Sequence, residues 1–514
     1  MLVSVATPPL YIVLPVALVA YWIIWIVYSR SFHPLSQYPG PYLASVSRAW
    51  IVFQVIGAQA EETQRDLHAR YGPIVRIAPN EVAIADPTAI KTIYSVSSGF
   101  TKTDFYPTFR PSFARHPDLF TDLDEKSHAR RRKIVNNLYS MSNIVRSEES
   151  IDNCTRTLME KFHEISQKHD VIDMSTWLQW YAFDVIGELF FSRMFGFMAQ
   201  ATDYRGYIAA LDRLLPMLTI ACVMPSYLRP LFLIGGAIFP PIFKALISVK
   251  SIETAAKDAV DERSALMKKG MTDGQEDILS GLFGVMKTKG EKVDFGLTEI
   301  TVEIYSALIA GSDTTAAAIS SILYHLMRTP HAYEKLTKEI DDASASGQLS
   351  QPLVRYNEAS KLPYLDACCK EAMRLHPSVA LTIPRNVPAG GYEINGQFFP
   401  TGTRVGVNAA VIHRDPRIFG QDADDFVPER WLLGDTTNMD RHMFQFGGGS
   451  RTCIGKNISL CEMYKVVPQI LRTFSLSLFD SAQDWQTHNY WFHKTSGIKT
   501  RVRVRCPNET ASKP

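Results

Sequence analysis

The residues best placed to do chemistry form one run, Phe446 to Gly455, reading Phe-Gly-Gly-Gly-Ser-Arg-Thr-Cys-Ile-Gly. Three consecutive glycines let a backbone come close to something flat, because they lack Cβ atoms and accept positive φ. Cys453 ends that loop. From Lys456 to Thr473 apolar residues recur at helical spacing (Ile458, Cys461, Met463, Val466, Ile470), so Cys453 lies just ahead of a helix N-terminus. Amide donors and the helix dipole there favour a thiolate over a thiol. Such a thiolate has three candidate partners: a metal, a haem iron or an acyl substrate. Zinc would need further Cys or His at short spacing, and Cys461 falls inside the following helix. A nucleophilic cysteine could use His442 as its base, but that leaves the glycine run and Arg451 unexplained. A buried structural cysteine beside a flexible loop is the plain alternative.

Five other stretches carry chemistry-bearing residues. Thr298 to Arg328 is the longest helical pattern, closed by Thr329 and Pro330, and its middle reads Ala310, Gly311, Ser312, Asp313, Thr314, Thr315. Glycine and polar groups in the centre of a buried helix cost stability, which points to function or to a Ser/Thr-lined bend. In Lys126 to Tyr139, His128 and Arg132 stand on one helical face amid further basic residues. Asp366 to Leu375 places Glu371 and Arg374 three apart, a spacing that by itself means only a surface ion pair. Phe426 to Trp431 adds Arg430, and Val379 to Val387 is an apolar extended run containing Pro384 and Arg385.

The pattern Phe-x-x-Gly-x-Arg-x-Cys-x-Gly resembles the cysteine-ligand loop of the cytochrome P450 family, and the other motifs follow in that family's order. The resemblance implies haem b (iron protoporphyrin IX), with Cys453 as its axial thiolate, which pushes electron density toward dioxygen. Phe446 would pack by the ring, with Gly455 in the same loop, and His128, Arg132, Arg385 and Arg451 would serve the propionates. Ala310 and Gly311 would leave room for O2, and Asp313 with Thr314 would organise proton delivery. Glu371, Arg374 and Arg430 would form a buried structural triad. Phe105, Phe109, Phe113, Ala310, Val379, Leu381 and Ile383 would line the substrate pocket. The implied reaction inserts one oxygen atom into an apolar small molecule, with NADPH-derived electrons. No dinucleotide-binding glycine fingerprint is visible, so a separate NADPH-cytochrome P450 reductase would supply them, with cytochrome b5 as a further candidate. Segments such as YPGPYLA and FTKTDFYP are similar to fungal secondary-metabolism members, including the pisatin demethylase-like group. A reductase-independent isomerase or dehydratase, and a haem-binding protein without turnover, are the alternatives. An intact Asp313–Thr314 pair argues against both.

Those residues need a scaffold, and composition allows a large one: 514 residues, 46% hydrophobic. A net charge of +2, without a dominant block of one sign, argues against a nucleic-acid binder. Seven scattered cysteines do not suggest a disulfide framework. The expected fold is mainly α with a small β portion, the haem-thiolate fold behind one transmembrane helix. Leu10 to Tyr28 is uncharged and long enough to span a bilayer. Arg30 and His33 follow it, which predicts an anchor with the catalytic domain in the cytosol, and the resemblance to microsomal members of the family implies the endoplasmic reticulum membrane. The sequons at Asn153, Asn457 and Asn508 would then stay unmodified.

The expected boundaries are a lumenal N-terminus at 1–9, an anchor at 10–28, a stiff proline-rich linker at 29–45, a catalytic domain at 46–507 and a frayed terminus at 508–514. Hairpins are predicted around Pro79–Asn80 and at Asn395–Gly396, and an amphipathic strand at Lys499 to Arg505. Leu214 to Val249, broken by five prolines, is read as two helices and a loop dipping toward the membrane. Arg130, Arg131 and Lys133 are candidates to face an acidic redox partner.

Overall fold

The computed structural model describes residues 10–236, 238–270, 276–482 and 484–505, so the expected lumenal N-terminus at 1–9 and frayed terminus at 508–514 lie outside the described residues. The uncharged N-terminal run forms α1 (Leu10–Val27), exposed from Tyr11 to Ile24 and a candidate membrane span. Expected as an extended linker, the following stretch is instead packed. The helix continues as a wider turn over Tyr28–Phe32, and a short helix follows at Tyr42–Val46. Leu35 is fully buried, and Tyr38 stacks on Phe399 with ring centroids 5.2 Å apart. Buried Arg76 donates to the Ser29 carbonyl at 2.8 Å, and the Trp25 indole donates to the Val46 carbonyl at 2.8 Å. Proline content signals stiffness; it does not reveal that a distant surface is waiting for the chain.

The helices that position the site are α2 (Ala49–Ile56), α3 (Thr88–Tyr94), α4 (Glu125–Val135), α5 (Met174–Phe191), α6 (Tyr207–Val223), α7 (Arg229–Gly236), α8 (Pro240–Lys268), α9 (Leu297–Arg328), α10 (Pro363–Leu375) and α11 (Lys456–Thr473). Asp124 and Asp173 cap α4 and α5, accepting from Ser127 N and Ser175 N. The 32 residues of α9 run about 48 Å through the core. Between Thr301 and Tyr324 every residue of α9 is buried except Glu303, Ser306, Ala307, Ala310, Gly311 and Thr314. Their spacing of three and four puts these six on one stripe of the helix. A helix buried all round except for one internal stripe borders a cleft.

The strands are β1 (Ile74–Ala78), β2 (Glu81–Ile84), β3 (Thr101–Lys102), β4 (Val171–Asp173), β5 (Ile383–Asn386), β6 (Tyr392–Ile394), β7 (Gln397–Phe399), β8 (Arg404–Val407), β9 (Phe474–Leu478), β10 (Gln486–Tyr490), β11 (Phe492–Ser496) and β12 (Lys499–Val504). They form a five-stranded sheet in the order β1-β2-β8-β5-β3, a three-stranded β4-β12-β9 sheet and two hairpins, β6-β7 and β10-β11. Asn395 and Gly396 both have positive φ, 52° and 74°, as the two-residue turn between β6 and β7 requires. The proline-broken segment holds more helix than expected, with α6, α7 and α8 in succession and Pro216 inside α6. It leaves Tyr227, Leu231, Ile234, Ile238 and Phe239 exposed.

Candidate active site

The cysteine loop folds back on itself, with Cys453 N donating to Phe446 O at 2.9 Å. Gly447 and Gly449 take φ of 68° and 60°, which explains two of the three glycines. The close approach at Gly449 is to protein: a Cβ there would sit against the Tyr94 carbonyl at the end of α3. Cys453 lies deep among protein atoms, yet its thiol is accessible, so it opens onto internal space. Burial pushes the thiol up; amides of Gly455 and Lys456 and the charge of Arg132 pull it down. The loop thus holds one sulfur ligand at a helix start with two amide donors aimed at it. Phe446 is half-buried beside it, with Lys456 Nζ 5.6 Å from its ring centre.

Around this loop the protein buries more cations than its own carboxylates neutralise. Lys102, Arg132 and Arg385 form no ion pair among the described residues, while Arg451 takes Glu125 at 2.7 Å. Lys102 donates to Phe120 O at 2.5 Å, and Arg385 donates to Tyr106 OH at 2.6 Å. Burial, then Arg385 and Arg451, push the Lys102 ammonium well below its usual value. Burial, then Arg451, Lys102 and Arg132, lower the buried His128 to about 3, and its Nδ1 has no partner. An uncompensated cationic cluster in low dielectric calls for an anion. The two carboxylates of a haem fit this donor set.

Several expected roles shift in detail. Arg132 donates to the Thr452 carbonyl at 2.6 Å, so it braces the cysteine loop. Arg451 is engaged by Glu125. Arg385 lies over the rings of Tyr94 and Tyr106. Gly311 was expected to leave room for O2, but a Cβ there would come within 2.7 Å of Ile186 Cδ1 on α5. It permits close helix packing, and Ala310, the one exposed residue of the stripe, lies beside it on the cleft. Arg131 turns inward, its Nε buried, whereas Arg130 and Lys133 are exposed.

Thr314 sits on the open stripe and donates to Ala310 O at 2.8 Å. Its own carbonyl accepts from Ser378 at 2.7 Å. Asp313 points the other way. Gln179 of α5 donates to it at 2.5 Å, and Lys494 of β11 lies 3.3 Å away and also pairs with Asp212 of α6. Burial would lower Lys494, but Asp313 and Asp212 raise it on balance.

Glu371, Arg374 and Arg430 meet as expected. Arg374 grips the Glu371 carboxylate through two bonds of 2.8 Å, Arg430 Nε adds one at 2.9 Å, and the Trp431 indole one at 2.8 Å. Arg374 continues to His413 O at 2.7 Å. His413 Nδ1 faces Arg374 O at 3.1 Å, and its Nε2 accepts from Phe444 N at 2.8 Å, which links the triad to the cysteine loop.

Phe105, Phe109 and Phe120 cluster with Trp491, whose ring lies 5.0 Å from that of Phe105. Phe113 packs edge-on to Tyr305 at 5.9 Å. Phe105 and Leu381 line a small pocket with Trp50, Val55 and Val223. Val379 bridges to Phe492, and Ile383 accepts from Tyr94 OH at 2.6 Å within the sheet. Sequence patterning missed Lys102, His413 and Trp491. Trp491 has a left-handed φ of 73° at a hairpin tip, a conformation that no local signal announces.

The family model described as Cytochrome P450 matches residues 39–499. Cytochrome P450 monooxygenase gsfF of Penicillium aethiopicum is 42% identical over 95% of this chain and 97% of that protein. A pisatin demethylase of Fusarium vanettenii is 36% identical over 96% of this chain and 93% of that protein. Cytochrome P450 monooxygenase cicH of Emericella nidulans is 34% identical over 95% and 97%. With its loop cysteine, its buried Glu-Arg-Arg triad and matches along nearly its whole length, the chain belongs to the cytochrome P450 family of haem monooxygenases.

Proposed function

We propose that the chain inserts one oxygen atom from O2 into an apolar small molecule of fungal secondary metabolism, with Cys453 as the axial ligand of haem b. The observation that carries this is the accessible Cys453 thiol beneath two amides, beside buried cations that lack carboxylate partners. When bound, the haem iron supplies oxygen activation, tuned by the thiolate. Lys102, Arg132, Arg385 and Arg451 would hold its propionates, with neutral His128 among them. Ala310 keeps the helix face low over the cleft. The Thr314 hydroxyl, backed by Asp313 and Lys494, holds and moves protons at that stripe. Gln179 and Lys494 hold the Asp313 carboxylate in place. Phe105, Phe109 and Phe113, with Leu381, exclude water from the substrate side.

The names of the relatives and the exposed face of α4 support electron supply from NADPH through NADPH-cytochrome P450 reductase, with cytochrome b5 as a second donor. α1 and the exposed apolar residues near α7 support single-pass anchoring in the endoplasmic reticulum, with the catalytic domain in the cytosol. The test is reconstitution with reductase and a panel of apolar small molecules. Oxygenated product with balanced NADPH use is expected. Conversion without NADPH or O2 would favour the isomerase reading.

A further inference from the structure

β11 reaches α9 at two points, and they fall on consecutive residues. Lys494 of β11 lies 3.3 Å from the Asp313 carboxylate, and the same ammonium pairs with Asp212 of α6. It is the one cation paired with Asp313 among the described residues. The second contact runs through Ser378, just beyond the end of α10. Its hydroxyl donates to the Thr314 carbonyl at 2.7 Å, and its own carbonyl accepts from His493 N at 2.9 Å. His376 fixes the same turn, donating from Nε2 to His493 O at 2.8 Å. His493 and Lys494 are neighbours in β11, so Asp313 is tied to that strand by its side chain and Thr314 by its backbone. α10 carries Glu371 and Arg374, so the buried triad steadies the other end of the Ser378 link. A lysine mostly out of water and shared by carboxylates on two helices is a strut between elements, unlike a solvated surface pair.

Resting on the monooxygenase reading above, we propose that Ser378 and Lys494 are positioning residues for oxygen activation, which through β11 fix the turn of α9 that carries Asp313 and Thr314. Each acts through its neighbour. The Thr314 hydroxyl bonds only its own helix, at Ala310 O, so the backbone that Ser378 holds decides where that hydroxyl sits. The Asp313 carboxylate is held between Gln179 and Lys494, so Lys494 decides how far it can swing. Proton transfer demands hydrogen-bond reach, and a small displacement of either group is felt in the reaction.

The experiment uses the full-length holoprotein with reductase and NADPH and without substrate. Electrons then leave as peroxide, one NADPH per O2, or as water, two NADPH per O2, and both are measured. Ser378→Ala should raise the ratio of peroxide to water about fivefold, the worth of one hydrogen bond, and Ser378→Thr should restore it. Lys494→Met should slow NADPH consumption about tenfold at an unchanged ratio, and Lys494→Arg should recover most of the rate. In a Thr314→Ala background Ser378→Ala should change the ratio no further, and in an Asp313→Asn background Lys494→Met should slow consumption no further. Hydrogen exchange in peptides covering residues 310–318, measured without turnover, should quicken in Ser378→Ala. Where the Lys494 variants fail to fold, the Ser378 variants decide. A wild-type ratio in Ser378→Ala, a wild-type rate in Lys494→Met, unchanged exchange, or effects that add in full in the double variants overturns the proposal. A loss of thermal stability alone, with ratio and rate unmoved, also overturns it. If Thr314→Ala and Asp313→Asn by themselves move neither quantity, the proton-delivery reading fails and the proposal falls with it; if they do and the Ser378 and Lys494 variants do not, the proposal alone fails.

Discussion

Asp313 and Thr314 are adjacent in sequence, yet one is locked into an ion network between α5, α6 and β11 and the other faces the cleft. That division predicts different failures. Thr314→Ala should keep NADPH oxidation within a few-fold but divert most electrons to hydrogen peroxide, read by peroxide assay against product. Unchanged coupling contradicts the role. Asp313→Asn should lower turnover about 10²-fold, the usual scale for a lost proton-transfer group, with peroxide staying a minor product. At the triad, Glu371→Gln leaves two buried guanidinium groups without their counter-charge. It should cost about 3–5 kcal/mol in urea unfolding, whereas a shift under 1 kcal/mol would make the triad dispensable. Residues inside short motifs were legible because their spacing is local. Lys102 and His413 were not, since each has meaning only through partners more than 17 positions away, such as Phe120 and Phe444.

At the scale of elements, helices and hairpins followed from periodicity and turn residues, and the Asn395–Gly396 turn formed where predicted. The segment after α1 did not, because Arg76, a residue of β1, organises it. Arg76 is buried without a carboxylate partner among the described residues and bonds the carbonyls of Ser29 and Pro79 at 2.8 and 2.7 Å. Its replacement should cost about 3 kcal/mol, the scale of hydrogen bonds made by a charged donor. Deleting residues 1–24 should leave the thermal midpoint nearly unchanged, while deleting 1–46 should lower it by several degrees, since Leu35 and Tyr38 leave the core. Equal midpoints for the two truncations would show that the segment is only a tether. The α4 register was legible, but which of its arginines turn inward was not, because burial depends on the α9 stripe across from it.

Across the whole molecule, several histidines are buried as neutral rings. His128, His325 and His413 are each lowered to about 3, mainly by burial, from an ordinary value of 6.5. A folded value below the unfolded one means the unfolded chain binds more protons between the two, so stability is full above pH 6.5 and is lost as pH falls toward 3. The thermal midpoint should drop between pH 7.5 and 5.5; a flat profile over that window contradicts the assignment. The fold class was legible in the sequence because the motifs span the chain. The substrate was not, because pocket walls come from α9, the Phe105–Phe120 segment and the β10-β11 hairpin, which only the fold brings together. The central claim is thiolate ligation by Cys453, and the reduced, carbon monoxide-bound difference spectrum tests it most directly. The account predicts a strongly red-shifted Soret band in wild type that is absent in Cys453→Ala. A folded, haem-loaded wild type without that band, or a Cys453→Ala variant that keeps it, would contradict it.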